Sequence, residues 1–177
     1  MAVSNEYGKA LFLLSEESGS TETVLFDVKA ADEIFSKNPA YVKLLDTPAI
    51  TKSEKLHLVD EAFKALDLSV KNLIKILCER HSVFSFGEVA KTYLALYDES
   101  RGIEHVEAVT AIAMTEEQLE AMKAKLSEIT GKQIIIKNTI DPKILGGAKI
   151  RYSGIQIDGS VKTRLDKFEM SLKNTVI

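Results

Sequence analysis

Three histidines, one cysteine, several adjacent acidic pairs and a spaced pair of glycines are the residues of this 177-residue chain that could do chemistry. A phosphate loop needs lysine and then serine or threonine directly after its second glycine, because that lysine must reach the phosphates. Gly154-x-x-x-x-Gly159 is followed instead by Ser160-Val161, and Lys162 comes too late. The segment reads as a turn. His57, His81 and His105 are spread over two helical regions and a strand, whereas a metal site needs ligands converging at fixed spacing. Glu16-Glu17, Asp60-Glu61 and Glu116-Glu117 sit on helices, where neighbours point about 100° apart and rarely share a site as acid and base. Cys78 stands beside a helical apolar stripe, which favours a buried, inert thiol over a nucleophile. The pattern contains no catalytic constellation, and neither a metal nor a cofactor is expected.

Charge narrows the field further. Residues 1–102 carry 12 Lys/Arg against 16 Asp/Glu, and residues 103–177 carry 11 against 10. Neither part has the basic excess of a phosphate-backbone binder, so nucleic acid is not an expected partner. A single cysteine cannot form an intramolecular disulfide and suits a reducing compartment. Met1-Ala2-Val3-Ser4-Asn5-Glu6 has neither the basic region nor the apolar run of a signal peptide, and it is not Arg-rich like a transit peptide. No window approaches the ~18 apolar residues that span a bilayer, so any membrane connection runs through a partner.

Residues 4–101 read as six helices. Tyr7, Leu11 and Leu14 stand at helical spacing, and Ser18-Gly19-Ser20 ends that first helix. Val24, Val28, Ala31 and Phe35 mark a second helix entered through Thr21, and Asn38-Pro39 opens a short third. Thr51-Lys52-Ser53-Glu54 is a capping box for a fourth, with Leu56, Val59, Phe63 and Leu66 on one face. Ser69 opens a fifth carrying Val70, Leu73, Ile74, Ile76 and Leu77, and the sixth runs from Phe86 to Gly102. Short connections make these helices antiparallel neighbours in a bundle. The first and fifth carry more apolar surface than one buried stripe requires. Either both are central in the bundle, or they form a groove for an amphipathic helix from another protein.

After Gly102 the period changes to alternation, predicting a strand from His105 through Met114. Thr115-Glu116-Glu117-Gln118 is a second capping box, and Gly131 closes the helix behind it. Gln133 to Thr139 is a β-branched run. Gly146 and Gly147 suit positive φ or a close backbone approach. A hairpin through Gly154 leads to Ile157, the turn pair Asp158-Gly159, and Ser160 as cap of a last helix with Val161, Leu165, Phe168 and Leu172. The fold class is thus mainly α with an α+β C-terminal part: a six-helix bundle over 1–102 and a small α/β domain over 103–177.

Laid out this way, the chain resembles the delta subunit family of bacterial F-type ATP synthases, which is similar to the mitochondrial oligomycin-sensitivity-conferring protein. The resemblance covers nearly the whole chain. It is carried by Ile134-Ile135-Ile136-Lys137, Ile140-Asp141, Ile144-Leu145-Gly146-Gly147-Ala148-Lys149-Ile150-Arg151 and Ile157-Asp158-Gly159-Ser160-Val161 with Arg164-Leu165. Tyr7-Gly8-Lys9-Ala10-Leu11-Phe12 and Asn72-Leu73-Ile74-Lys75-Ile76-Leu77 add to it. Two places depart from the family pattern. Gly8 stands where alanine is common, a loss of about 1 kcal/mol in helix stability if exposed. Arg80-His81-Ser82 replaces an Asn-Gly-Arg turn.

The resemblance implies a non-catalytic stator subunit that ties the alpha/beta head to the b-subunit peripheral stalk, so that the head does not turn with the rotor. It implies a groove between the first and fifth helices for the N-terminal helix of an alpha subunit, with Tyr7, Ala10, Leu11, Leu14, Asn72, Leu73, Ile76 and Glu79 as contacts. The b-subunit ends would meet the surface around Ile140, Leu145, Gly147 and Val161. It also implies a place on the cytoplasmic face of the bacterial plasma membrane, reached only through the complex. A small cytosolic enzyme using Cys78 or a histidine, and a general helix-binding adaptor, are the alternatives.

Overall fold

The computed structural model describes residues 2–144, 146–152 and 155–159. The chain divides into two compact units, Met1–Ser100 and Arg101–Ile177. In the first unit six helices follow one another: α1 (Ala2–Glu17), α2 (Thr21–Lys37), α3 (Pro39–Asp46), α4 (Lys52–Ala62), α5 (Leu68–Glu79) and α6 (Phe86–Arg101). Local chemistry sets their ends. Gly19 takes φ 67° after α1, and Pro39 supplies the fixed φ of a first helical turn. Thr51 and Glu54 cap α4 reciprocally, Glu54 Oε2 accepting from the Thr51 backbone N–H at 3.0 Å. Helix α5 starts differently from the sequence expectation. Its cap is Asp67, whose carboxylate accepts from the Ser69 N–H at 2.8 Å, so Ser69 lies inside the helix.

The core of this unit is built on Phe35, which contacts the rings of Tyr41, Phe63 and Phe86. Val24, Val28, Val59, Ile74, Leu77 and Val89 are fully buried around it. Tyr93 is buried as well, and its hydroxyl lies 2.8 Å from Ser15 Oγ and donates to the Thr21 carbonyl at 3.1 Å. That chain ties α6 to α1 and to the start of α2. Gly8 is buried rather than exposed. A β-carbon there would lie 2.7 Å from Thr92 Cβ and 2.9 Å from the Val89 carbonyl oxygen, so the glycine allows α1 to approach α6 closely. Its helix-propensity deficit is therefore set against a packing requirement.

In the second unit β1 (Ile103–Thr110), α7 (Glu116–Thr130), β2 (Gln133–Ile140), β3 (Ala148–Tyr152) and β4 (Ile155–Asp158) form a four-stranded sheet in the order β2-β1-β3-β4. β1 and β2 are parallel, Ile103 opposite Gln133 and Thr110 opposite Ile140, with α7 as the crossover that a parallel pair requires. The β1–β3 and β3–β4 pairs are antiparallel. Thr115 and Gln118 form the second capping box, and Gly131 at φ 67° ends α7.

Two expectations are corrected here. The first strand stops at Thr110 rather than Met114, because the Thr110 hydroxyl donates to the Ile112 carbonyl at 2.7 Å and turns the chain away from the sheet. Asp158 is the last residue of β4, opposite Lys149 and 3.2 Å from its ammonium, and is not a turn residue. Gly146 and Gly147 do adopt positive φ, 152° and 83°. Leu145, Gly154, Ser160, Val161 and the expected last helix lie outside the described residues.

Candidate functional site: an apolar groove between two helices

Helices α1 and α5 pack side by side, and a groove of about 290 Å³ opens along their outer faces. Helical spacing explains its lining. Tyr7, Ala10, Leu11 and Leu14 recur at intervals of three and four on α1, while Ser69, Asn72, Leu73 and Ile76 do so on α5. Leu11 and Leu73 are buried and make the floor. Leu14 and Ile76 keep 50% and 43% of their surface exposed, enough apolar area at the rim to be worth covering. Asn72 and Ser69 supply polar edges, and no charged side chain among the described residues lines the groove. One side of each helix belongs to the core and the other borders the groove.

Of the eight residues named from the sequence, the groove gathers all but Glu79. That carboxylate lies beyond the groove and pairs with Lys52 at 3.0 Å, because position 79 falls at the last turn of α5. Ser69 was missed; its helical register with Leu73 and Ile76 was the available signal. In the second unit, Gly147 lines a shallow surface depression of about 660 Å³ with Ile112, Met114 and Gln118. Ile140 does not join it and stands exposed at the end of β2. Leu145 and Val161 fall outside the described residues.

The groups with chemical potential are placed otherwise. Among the described residues no three His, Cys, Asp or Glu side chains converge to hold a metal ion. Asp60 pairs with Lys75 and Glu61 with Lys64, so that acidic pair is split between two ion pairs. Cys78 is 1% exposed, and burial, assisted by the negative charge of Asp46, pushes its thiol up to about 12. It is held in the unreactive thiol form at neutral pH. No helix among the described residues is long and apolar enough to cross a membrane.

Comparison with known proteins gives this geometry a context. The family model described as ATP synthase delta (OSCP) subunit matches residues 3–172. The chain belongs to that family. It is 32% identical over 176 residues to the ATP synthase subunit delta of Clostridioides difficile (strain 630), covering 98% of this chain and 97% of the relative. The ATP synthase subunit delta of Geobacillus sp. (strain WCH70) is 28% identical over 171 residues, 96% of each chain. The fold is shared with a chain in the cryo-EM structure of the Toxoplasma gondii mitochondrial ATP synthase hexamer. The TM-score is 0.72 at 20% identity, with 97% of this chain and 98% of that one covered.

Proposed function

We propose that this chain is the non-catalytic stator subunit of an F-type ATP synthase, joining the catalytic head to the peripheral stalk so that the head does not rotate with the rotor. The helical unit takes the N-terminal helix of an alpha subunit in the α1/α5 groove, and the α/β unit holds the ends of the b subunits. The complex places it at the cytoplasmic face of a bacterial plasma membrane. The observation that carries this reading is the groove itself, with exposed Leu14 and Ile76 above buried Leu11 and Leu73. A joint under load must not release its partner during turnover, and an apolar helix seated in a preformed groove achieves slow release by buried area. Polar Asn72 and Ser69 at the edge would set register more than strength.

Ile76→Asp tests it. Covering the exposed part of Ile76, roughly 80 Å², contributes about 2 kcal/mol to binding, and a buried carboxylate adds a further penalty. Calorimetry with an alpha-subunit N-terminal peptide should show affinity weakened more than tenfold, which is about 1.4 kcal/mol. Helical content should stay, since the side chain is 43% exposed in the free protein. An unchanged affinity removes the groove assignment.

A further inference from the structure

Tyr7 belongs to two hollows at once. It lines the α1/α5 groove, and it also lines a hollow of about 630 Å³ at the first turns of α1 and the C-terminal end of α5. Ser4 and Tyr7 come from α1, Arg80 and Phe84 from the end of α5 and the turn behind it, and Glu88 from α6. Arg80 and Glu88 bring one charge of each sign, so the hollow has no net charge to draw an ion, and its wall is mostly apolar. Phe84 keeps 74% of its surface exposed. A single exposed apolar side chain is ordinary, and Phe26 on α2 is one that lines neither hollow. Phe84 differs because, through the shared Tyr7, it continues the exposed apolar surface of Leu14 and Ile76.

The turn that carries Phe84 is fixed at several points. Val83 is buried and roots it in the core. The Asp46 carboxylate, at the end of α3, accepts from the backbone N–H groups of Val83 and Phe84 at 2.8 and 3.1 Å. The Asp46 carbonyl oxygen lies 2.9 Å from His81 Nδ1, which donates because a carbonyl can only accept. His81 takes φ 51°, the only non-glycine residue at positive φ among the described residues, in a place behind a helix end that usually calls for glycine. The Ser82 N–H then reaches back to the Leu77 carbonyl at 2.9 Å and closes α5. That conformation is a backbone cost retained for the shape of the turn. Phe84 is thus displayed on a preformed support, and covering it removes little conformational freedom from this chain.

Resting on the groove reading above, we propose that the docked partner helix runs on past Tyr7 and over this hollow, where a bulky, uncharged apolar side chain near its end packs against Phe84 and Tyr7. Ser4 and Leu14 stand ten positions apart on α1, about 15 Å along its axis. Groove and hollow together therefore accept about three turns of an amphipathic helix, where the stretch from Tyr7 to Leu14 accepts about two. The extra turn has a physical use. An apolar groove without charged lining lets a helix slide along it, and a fixed aromatic ring at one end sets where the helix stops. The partner is thus a helix whose apolar stripe extends one further turn and ends on a large side chain, with no charge required at that place.

The test is calorimetry of the full chain with the alpha-subunit N-terminal peptide of the same ATP synthase, with Ile76→Asp as the control for the groove. Phe84→Ala should bind at least about fivefold more weakly, as expected for truncating an aromatic anchor, and Phe84→Tyr within about twofold of the parent. Circular dichroism should show unchanged helical content in both, since the ring is largely exposed. Should Phe84→Ala fail to fold, the Phe84 ring resonances of the parent decide, and they should shift as the peptide saturates. Alanine replacement along the peptide should find one bulky apolar residue whose loss weakens the parent at least about fivefold but Phe84→Ala less than about twofold. Binding lost in Ile76→Asp and unchanged in Phe84→Ala would overturn the extension and leave the groove standing. If neither substitution matters, the groove reading fails and the extension with it. Weakening by Phe84→Ala alone would place the peptide on the hollow without the groove, which also overturns the proposal.

Discussion

Replacing Gly8 with alanine sets two physical effects against each other, and the structure says which wins. On propensity alone the substitution should strengthen α1 by about 1 kcal/mol. The added methyl, however, would sit 2.7 Å from Thr92 Cβ, 2.9 Å from Thr92 Cγ2 and 2.9 Å from the Val89 carbonyl oxygen. Carbon atoms rest comfortably about 3.5–4.0 Å apart, so α1 and α6 must separate by close to an ångström. Rotating Thr92 relieves only Cγ2, because its Cβ and the Val89 carbonyl are fixed by the backbone of α6. Separation also stretches the bond from the Thr92 hydroxyl to Asn5 Oδ1, now 3.1 Å. Overpacking of this kind costs about 1–3 kcal/mol, and with the propensity gain of about 1 kcal/mol subtracted the net loss is about 0–2 kcal/mol.

For a helical unit of this size that corresponds to a fall of up to roughly 15 °C in melting temperature. Circular dichroism melts and urea titrations of Gly8→Ala measure it directly. Thr92→Gly in the same chain should recover part of the loss by removing both threonine carbons from the contact. Thr92→Ala should recover less, since it keeps the β-carbon. A Gly8→Ala protein more stable than its parent by about the propensity difference would refute the close α1/α6 approach.

Other outcomes follow from the same geometry. Thr51→Ala removes the α4 cap and should cost about 1 kcal/mol at neutral pH. The Thr51 hydroxyl and backbone N–H bonds to Glu54 hold that carboxyl below its ordinary range. Their contribution is present above the unfolded value and is lost as pH falls through the folded one, so the Thr51→Ala deficit measured by urea titration should shrink in acid. Cys78 should react with a thiol reagent at pH 7.5 at least about a hundredfold more slowly in the native chain than in urea, from burial and suppressed ionisation together. Rapid native labelling accompanied by loss of an activity would support an enzyme instead.

Much of this was legible in the sequence because its signals are local. Thr51-x-x-Glu54 and Thr115-x-x-Gln118 each specify a helix start through contacts within four residues, and both caps form. The apolar excess on α1 and α5 pointed to the groove because helical periodicity alone puts Leu11, Leu14, Leu73 and Ile76 in register. What was missed depends on partners distant in sequence. Gly8 looks like a weak point until Thr92 is beside it. Alternation runs on past Thr110, but a side-chain bond to Ile112 ends the strand. Glu79 shares an helix with the groove residues, yet Lys52 on α4 draws it to another face. Lys55 is an ordinary helical lysine in sequence, and only the fold reveals that it is buried beside His81.

The central claim is that this molecule connects other subunits and transforms nothing itself. Reconstitution measures that most directly: membranes carrying the parent ATP synthase are stripped of this chain, and the purified protein is added back. The account predicts that added protein restores attachment of the head and ATP-driven ion pumping together, and that Ile76→Asp restores neither at the same concentration. Full attachment and pumping in its absence would contradict the account.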